Sequence, residues 1–70
     1  MTRAEGLARQ RAEEALALDA MAEGPLSRAE LCELTGWAPW RVAKVLERLF
    51  DEGRAVRVGS TRARRYGVAG

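Results

Sequence analysis

The fold is decided by residues 27–69, which read SRAELCELTGWAPWRVAKVLERLFDEGRAVRVGSTRARRYGVA. The first four residues form a capping box, in which the Ser27 hydroxyl accepts a hydrogen bond from the Glu30 amide and the glutamate reaches back to the serine amide. A helix is therefore expected from residue 28 to about residue 34. Its apolar positions predict that Leu31 and Leu34 face inward.

A turn and a longer helix follow. Gly36 is expected to take a positive φ, which glycine accepts at least cost, and Trp37 to fill the space between the two helices. Pro39 is a favoured first helical position, and the helix extends to Asp51. Five residues at spacings of three and four make a wide apolar stripe on it: Val42, Val45, Leu46, Leu49 and Phe50.

Two arginine-rich strands complete the stretch. Val56 and Val58 alternate with Arg57, the period-two pattern of a half-buried strand. Tyr66 and Val68 alternate in the same way further along the chain. The pattern predicts a hairpin that uses these valines and the tyrosine as its buried side, with residues 59–61 in the loop.

The N-terminal segment, from Thr2 to Glu23, is rich in strong helix formers. Ala15, Leu18 and Ala22 share one face of this helix, so we expect it to pack on the domain from about Ala15 onward. Residues 1–14 are then an N-terminal helical extension, frayed or in contact with a second copy, and residues 15–70 are the domain. The expected fold is mainly α with a small β-hairpin, in the α+β class and the order α1-α2-α3-β-β.

Charge is unevenly distributed along the chain. Residues 54–70 contain five arginines and no acidic residue, whereas residues 1–53 contain seven basic and ten acidic residues. This asymmetry favours a polyanionic partner at the C-terminal hairpin more strongly than the overall charge of +2 does. The element order is also the layout of a winged helix-turn-helix, which places the later helix of its helical pair, here the one that opens at Pro39, in a DNA major groove.

The sequence resembles bacterial and archaeal winged helix-turn-helix regulators, most closely those of the MarR and ArsR types. The resemblance lies in residues 26–31, 35–42, 45–49, 51–56 and 64–69, and departs from the family pattern at Ala38 and Trp40. It implies a cytoplasmic, nucleoid-associated transcriptional regulator that binds double-stranded DNA as a homodimer. Because the family's effector pocket has no counterpart here, we expect no small-molecule effector.

The recognition helix is expected over residues 39–51 and the basic wing over residues 54–69. Arg41 is suited to grip a guanine through O6 and N7. Trp40 is open to three interpretations: contact with DNA, contact with a protein, or a rim of the core beside Trp37. The candidate DNA-contacting residues of this helix are Pro39, Trp40, Arg41, Lys44 and Arg48.

The wing would clamp the phosphate backbone or enter the minor groove. Its candidate contacts are Arg57, Ser60, Thr61, Arg62, Arg64 and Arg65. Ser27 and Arg28, at the start of the second helix, are expected to meet a backbone phosphate. The rival interpretations are that these cations are merely solvated, that Trp40 anchors a protein–protein interaction module, and that the basic hairpin binds RNA.

Catalysis is not expected. The sequence has no histidine and a single cysteine, Cys32, so it offers neither metal-ligand spacing nor a nucleophile–base pair. Glu13 and Glu14 are interpreted as solvated helix charges. We therefore expect no enzyme activity, no metal and no cofactor, and the absence of a long apolar run predicts no membrane span.

Overall fold

The computed structural model describes residues 3–60 and 62–70. Three helices precede an antiparallel two-stranded hairpin, which confirms the expected α+β class and element order. The elements are α1 (Arg3–Ala20), α2 (Arg28–Thr35), α3 (Pro39–Asp51), β1 (Ala55–Val58) and β2 (Arg65–Val68).

Local sequence signals set the ends of α2 and α3. The capping box at the start of α2 is confirmed in both directions, with the Glu30 amide donating to Ser27 Oγ at 3.2 Å and the Ser27 amide donating to Glu30 Oε1 at 2.9 Å. Gly36 ends α2 with a φ of 76°, as expected for the turn. Pro39 opens α3, where Ala38 supplies no side-chain cap.

The hydrophobic core is built on α3. Val42, Val45, Leu46 and Leu49 are buried as predicted, and Leu49 has no exposed surface. Partly buried Trp37 packs against this core, in the place expected for it between the helices. The remaining buried apolar residues come one each from the other four elements, with one more from the turn after α1: Ala17, Leu31, Ala55, Tyr66 and Met21.

The expected inward faces of α1 and α2 need correction. Ala17 and Met21 face the core, whereas Ala15 and Ala22 are exposed. The predicted helical phase of α1 is wrong because the buried stripe of Ala17 and Met21 continues toward the N-terminus through a charged residue, Glu14, which is 3% exposed. On α2, Leu34 is 65% exposed.

Leu34 is exposed because the end of α2 is organised around Leu31. The inward position one turn after Leu31 is taken by Thr35, whose hydroxyl donates to the Leu31 carbonyl at 2.6 Å. The i+4 position, rather than i+3, therefore continues the inward side of this short helix, and Thr35 there is partly buried.

Tyr66 of β2 is buried as predicted, but β1 buries a different face from the one predicted. Arg57 pairs with Tyr66 in the strand register, so both lie on the side that faces α3. Val56 and Val58 lie on the opposite side and are 43% and 39% exposed, so their expected burial is wrong. The tyrosine decides the outcome, because its ring packs on Phe50 with 5.9 Å between centroids.

A single-residue bridge joins the hairpin to the loop before α2. The Leu26 amide donates to the Tyr66 carbonyl at 2.9 Å, and the Tyr66 amide donates to the Leu26 carbonyl at 2.8 Å. This bridge lies on the side of β2 away from β1. It fixes the hairpin relative to the N-terminus of α2, and this positions the two elements beside the outer side of α3.

Candidate nucleic-acid interface

The outward side of α3 carries a line of exposed side chains. Trp40, Lys44 and Glu47 follow one another at spacings of four and three, and all three are exposed. Trp40 is 65% exposed, so the interpretation of this residue as a rim of the core is wrong. Pro39 is exposed beside it at the start of the helix.

Arg41 and Arg48 are directed toward α1 and share one carboxylate. Arg41 Nε donates to Glu13 Oε2 at 2.9 Å, and the Nη2 of the same guanidinium contacts the same oxygen. Arg48 Nη2 donates to Glu13 Oε1 at 2.9 Å. The guanidinium of Arg41 also lies over the Trp37 ring, 5.5 Å from its centroid. Two of the residues predicted to contact DNA are therefore already engaged within the fold.

The two adjacent glutamates of α1 have opposite electrostatic environments. The hydrogen bond from Arg48 is the main cause that holds the pKa of Glu13 below its ordinary value, and Arg41 adds to it. Burial raises the pKa of Glu14, and the neighbouring Glu52 carboxyl raises it further. The interpretation of both residues as solvated charges is wrong. Their helical phase beside Ala17 was the signal in the sequence that they face the domain.

Three arginines surround an open groove on the other edge of α3. The groove has a volume of about 240 Å³. It is lined by α2, α3 and the hairpin, through Arg28, Ala43, Leu46, Glu47, Phe50, Arg57, Arg64 and Tyr66, and is called the arginine groove below. Among the described residues, no acidic side chain forms an ion pair with Arg28, Arg57 or Arg64. Cations from α2 and from the hairpin therefore converge beside the outward side of α3.

Two of the predicted wing residues, Arg57 and Arg64, line the arginine groove. Arg57 stacks on the Phe50 ring with 3.9 Å to the centroid, which orients its guanidinium at the groove. Arg62 and Ser60 are exposed at the hairpin tip, and Thr61 lies outside the described residues. Arg65 is paired with Glu30 at 2.8 Å.

The start of α2 holds an internal anion where a phosphate was predicted. The Glu30 carboxylate accepts from both the Ser27 amide and the Arg65 guanidinium. These contacts lower the pKa of Glu30, chiefly through the Ser27 amide. Ser27 is thus committed to the helix cap, and Arg28 is the residue of this pair that lines the arginine groove.

No cluster of three or more potential metal ligands occurs in the described part of the chain. Across the same residues, no helix combines the length and apolar character needed to cross a membrane.

Comparison with known proteins gives one structural likeness. No family model matches the sequence, and no curated protein does. Among solved structures, the chain is similar to the DIP2311 protein from Corynebacterium diphtheriae, with a TM-score of 0.71 and 30% identity over 84% of this chain. The chain spans 11% of the length of that protein. The likeness therefore concerns one segment of a much larger chain.

Proposed function

We propose that the chain is a winged helix-turn-helix module that binds double-stranded DNA and acts as a transcriptional regulator. In this proposal α3 enters the major groove and the hairpin, as the wing, lies along the adjacent backbone or minor groove. A homodimer on a two-fold site would supply the contacts that a single small unit lacks. The module acts without a cofactor and performs no catalysis.

The arginine groove is the observation that carries the proposal. Arg28, Arg57 and Arg64 converge there without an acidic partner among the described residues. Like charges held together destabilise a small domain by mutual repulsion. A duplex phosphate backbone removes that repulsion and gains favourable free energy from released counterions.

The proposed roles differ between the cations. Lys44 lies on the outward line of α3 and is placed to approach base edges, while Arg57, Arg62 and Arg64 bind phosphate. Arg41 and Arg48 act mainly by holding α3 against α1 through Glu13. Trp40 would press on a thymine methyl group or a sugar.

A salt titration with charge-matched variants tests the proposal. The observed affinity for duplex DNA is measured against salt concentration for the parent chain and for a triple variant, Arg57→Gln, Arg62→Gln and Arg64→Gln. The control variant, Arg3→Gln, Arg9→Gln and Arg11→Gln, has the same net charge but alters exposed positions of α1. We expect the triple variant at Arg57, Arg62 and Arg64 to reduce the slope of log affinity against log salt concentration by about 2.7 relative to the parent chain. Each of the three lost phosphate contacts contributes about 0.9 to that slope. Equal slopes for the two variants would reject the groove as a DNA site.

A protein-interaction module is the second candidate function. The exposed apolar side chains of Trp40 (65%), Leu34 (65%) and Leu16 (47%) favour it. A contact anchored on these residues would respond weakly to salt, unlike one that depends on phosphates. Duplex RNA, included as a competitor in the titration, separates DNA binding from RNA binding by the basic hairpin.

A further inference from the structure

We infer that Glu47 and Lys44 are the base-reading pair of α3 and that they select adjacent G·C pairs in the DNA target. In this arrangement Glu47 accepts a hydrogen bond from the N4 amino group of a cytosine. Lys44 donates to the O6 and N7 of a guanine in the neighbouring pair. The inference rests on the proposed function and specifies which sequence it recognises.

Position is the first argument. Lys44 and Glu47 are exposed on the same side of α3, one turn apart. Glu47 lines the arginine groove and also an adjoining groove that it shares with Lys44. Glu47 is therefore the member of the outward line that borders the cationic hairpin, where a duplex held by the arginines meets the helix.

Availability is the second argument. Arg41 and Arg48 are bound by Glu13 and directed to α1. By contrast, neither Lys44 nor Glu47 has an ion pair or hydrogen bond with any residue in the described ranges 3–60 and 62–70. These two charged side chains in the middle of α3 are thus free to bind a ligand.

Charge is the third argument. A carboxylate beside Arg57 and Arg64 repels the phosphates that those arginines attract, so Glu47 lowers affinity for DNA in general. It contributes favourably only where a base presents a hydrogen-bond donor. Guanine presents two acceptors at the major-groove edge and thymine one, and adenine sets its donor beside an acceptor. Cytosine presents the donor without a neighbouring acceptor, which makes it the base that best suits a carboxylate.

The experiment compares Glu47→Gln with the parent chain and with a control, Glu23→Gln. Both substitutions remove one negative charge from an exposed position, and Glu23 lies in the turn after α1, away from the arginine groove. Bound duplexes are selected from a random pool for each protein. Affinities are then measured for the selected duplex and for single base-pair replacements.

For the parent chain, we expect replacement of one cytosine to weaken binding by about ten-fold or more. Glu47→Gln should bind unselected DNA several-fold more tightly than the parent. Its preference at that position should shift from cytosine to adenine, since glutamine can donate to N7 and accept from N6. Lys44→Ala should lose the preference at the neighbouring guanine, and Glu23→Gln should keep every parental preference.

Two failures are distinguishable. If Glu47→Gln retains the parental cytosine preference, the assignment of Glu47 is wrong while the DNA-binding function stands. If the parent chain shows no salt-dependent binding to duplex DNA, the proposed function fails and this inference fails with it. Far-ultraviolet circular dichroism of each variant verifies that the exposed substitutions leave the helices intact.

Discussion

Two pairs of arginines flank α3. Arg41 and Arg48 belong to α3 and lie on its edge facing α1. Arg57 and Arg64 belong to the hairpin and lie across the arginine groove from the other edge of α3. At the α1 edge, one carboxylate, Glu13, binds both guanidiniums. At the groove edge, no acidic residue of the described chain pairs with either arginine. The comparison shows that the number of cations near a helix does not identify the ones available to a ligand. The position of the acidic residues, here on a helix distant in sequence, does so.

The largest expected effect on stability comes from removing the shared carboxylate. We expect Glu13→Ala to lower the free energy of unfolding by about 2 kcal/mol, since it removes charge-assisted hydrogen bonds that solvent partly screens. Urea denaturation, with Glu23→Ala as the exposed control, measures this loss. The same variant should bind duplex DNA several-fold more tightly, because it frees Arg41 and Arg48. Unchanged stability and affinity would show that the two edges of α3 are equivalent.

The neighbouring glutamate should behave in the opposite sense. The pKa of Glu14 is raised in the folded chain, so its contribution to stability is present at low pH. That contribution is lost as the pH rises through the raised pKa. Glu14→Gln removes the titration, and its amide can donate to the Glu52 carboxylate. We expect the variant to be more stable than the parent by about 1 kcal/mol at neutral pH.

Denaturation at several pH values checks both glutamates. The advantage of Glu14→Gln should vanish below the ordinary pKa of a glutamate and grow as the pH rises. Glu13→Gln should show the reverse dependence. The pKa of Glu13 is lowered, so its stabilising contribution exists above the ordinary glutamate pKa and is lost on acidification. Parallel curves for the two variants would contradict the opposite environments of these carboxyls.

A smaller effect on stability is expected at the groove edge. Arg57→Ala removes the stacking on Phe50, which contributes about 0.5–1 kcal/mol to stability at an exposed site. Its effect on the free energy of DNA binding should be larger than this effect on the free energy of unfolding. Arg57→Lys keeps the charge and loses the planar stack, so it should retain most of the phosphate attraction. Anisotropy titrations and urea denaturation, made on the same samples, separate the two contributions. A loss of stability without a loss of DNA affinity would assign Arg57 to the fold.

The smallest effect is expected at the pair between α2 and β2. Glu30→Gln keeps a side chain that can accept from the Ser27 amide but loses the charge that binds Arg65. We expect only a slight lowering of the melting temperature, because both side chains are about half exposed. The variant also frees Arg65 beside the groove, so DNA affinity should rise slightly. A clear fall in affinity would instead indicate that Glu30 orients Arg65 toward the ligand.

The sequence was most informative where a structural feature depends on neighbouring residues. The capping box at Ser27, the glycine turn at Gly36 and the start of α3 at Pro39 are all local, and all were predicted correctly. The four buried residues of the α3 stripe were also correct, because a strongly amphipathic helix allows only one inward face. The element order followed from these signals.

The errors arose where the outcome depends on tertiary contacts. The alternation predicted that the valines of β1 share the buried face with Tyr66, but the strand register puts Arg57 opposite Tyr66, on the side that packs on Phe50. Charge alone could not reveal that Arg41 and Arg48 share Glu13, because the partner is far away in the sequence. The helical phase of Glu14 with Ala17 and Met21 indicates that it faces the domain, but it does not indicate that its pKa is raised.

The bridge between Leu26 and Tyr66 has a consequence for how the chain is made. Synthesis proceeds from the N-terminus, so all three helices leave the ribosome before the residue that completes this link. Until then the Leu26 amide and carbonyl lack their β-strand partner, and the part of the core beneath Tyr66 is uncovered. Long-range pairing of this kind is slow to form, and an uncovered apolar surface is prone to aggregation. Between the appearance of Asp51 and that of Tyr66, we therefore expect the nascent protein to bind chaperones most readily and to be cleaved by proteases most easily.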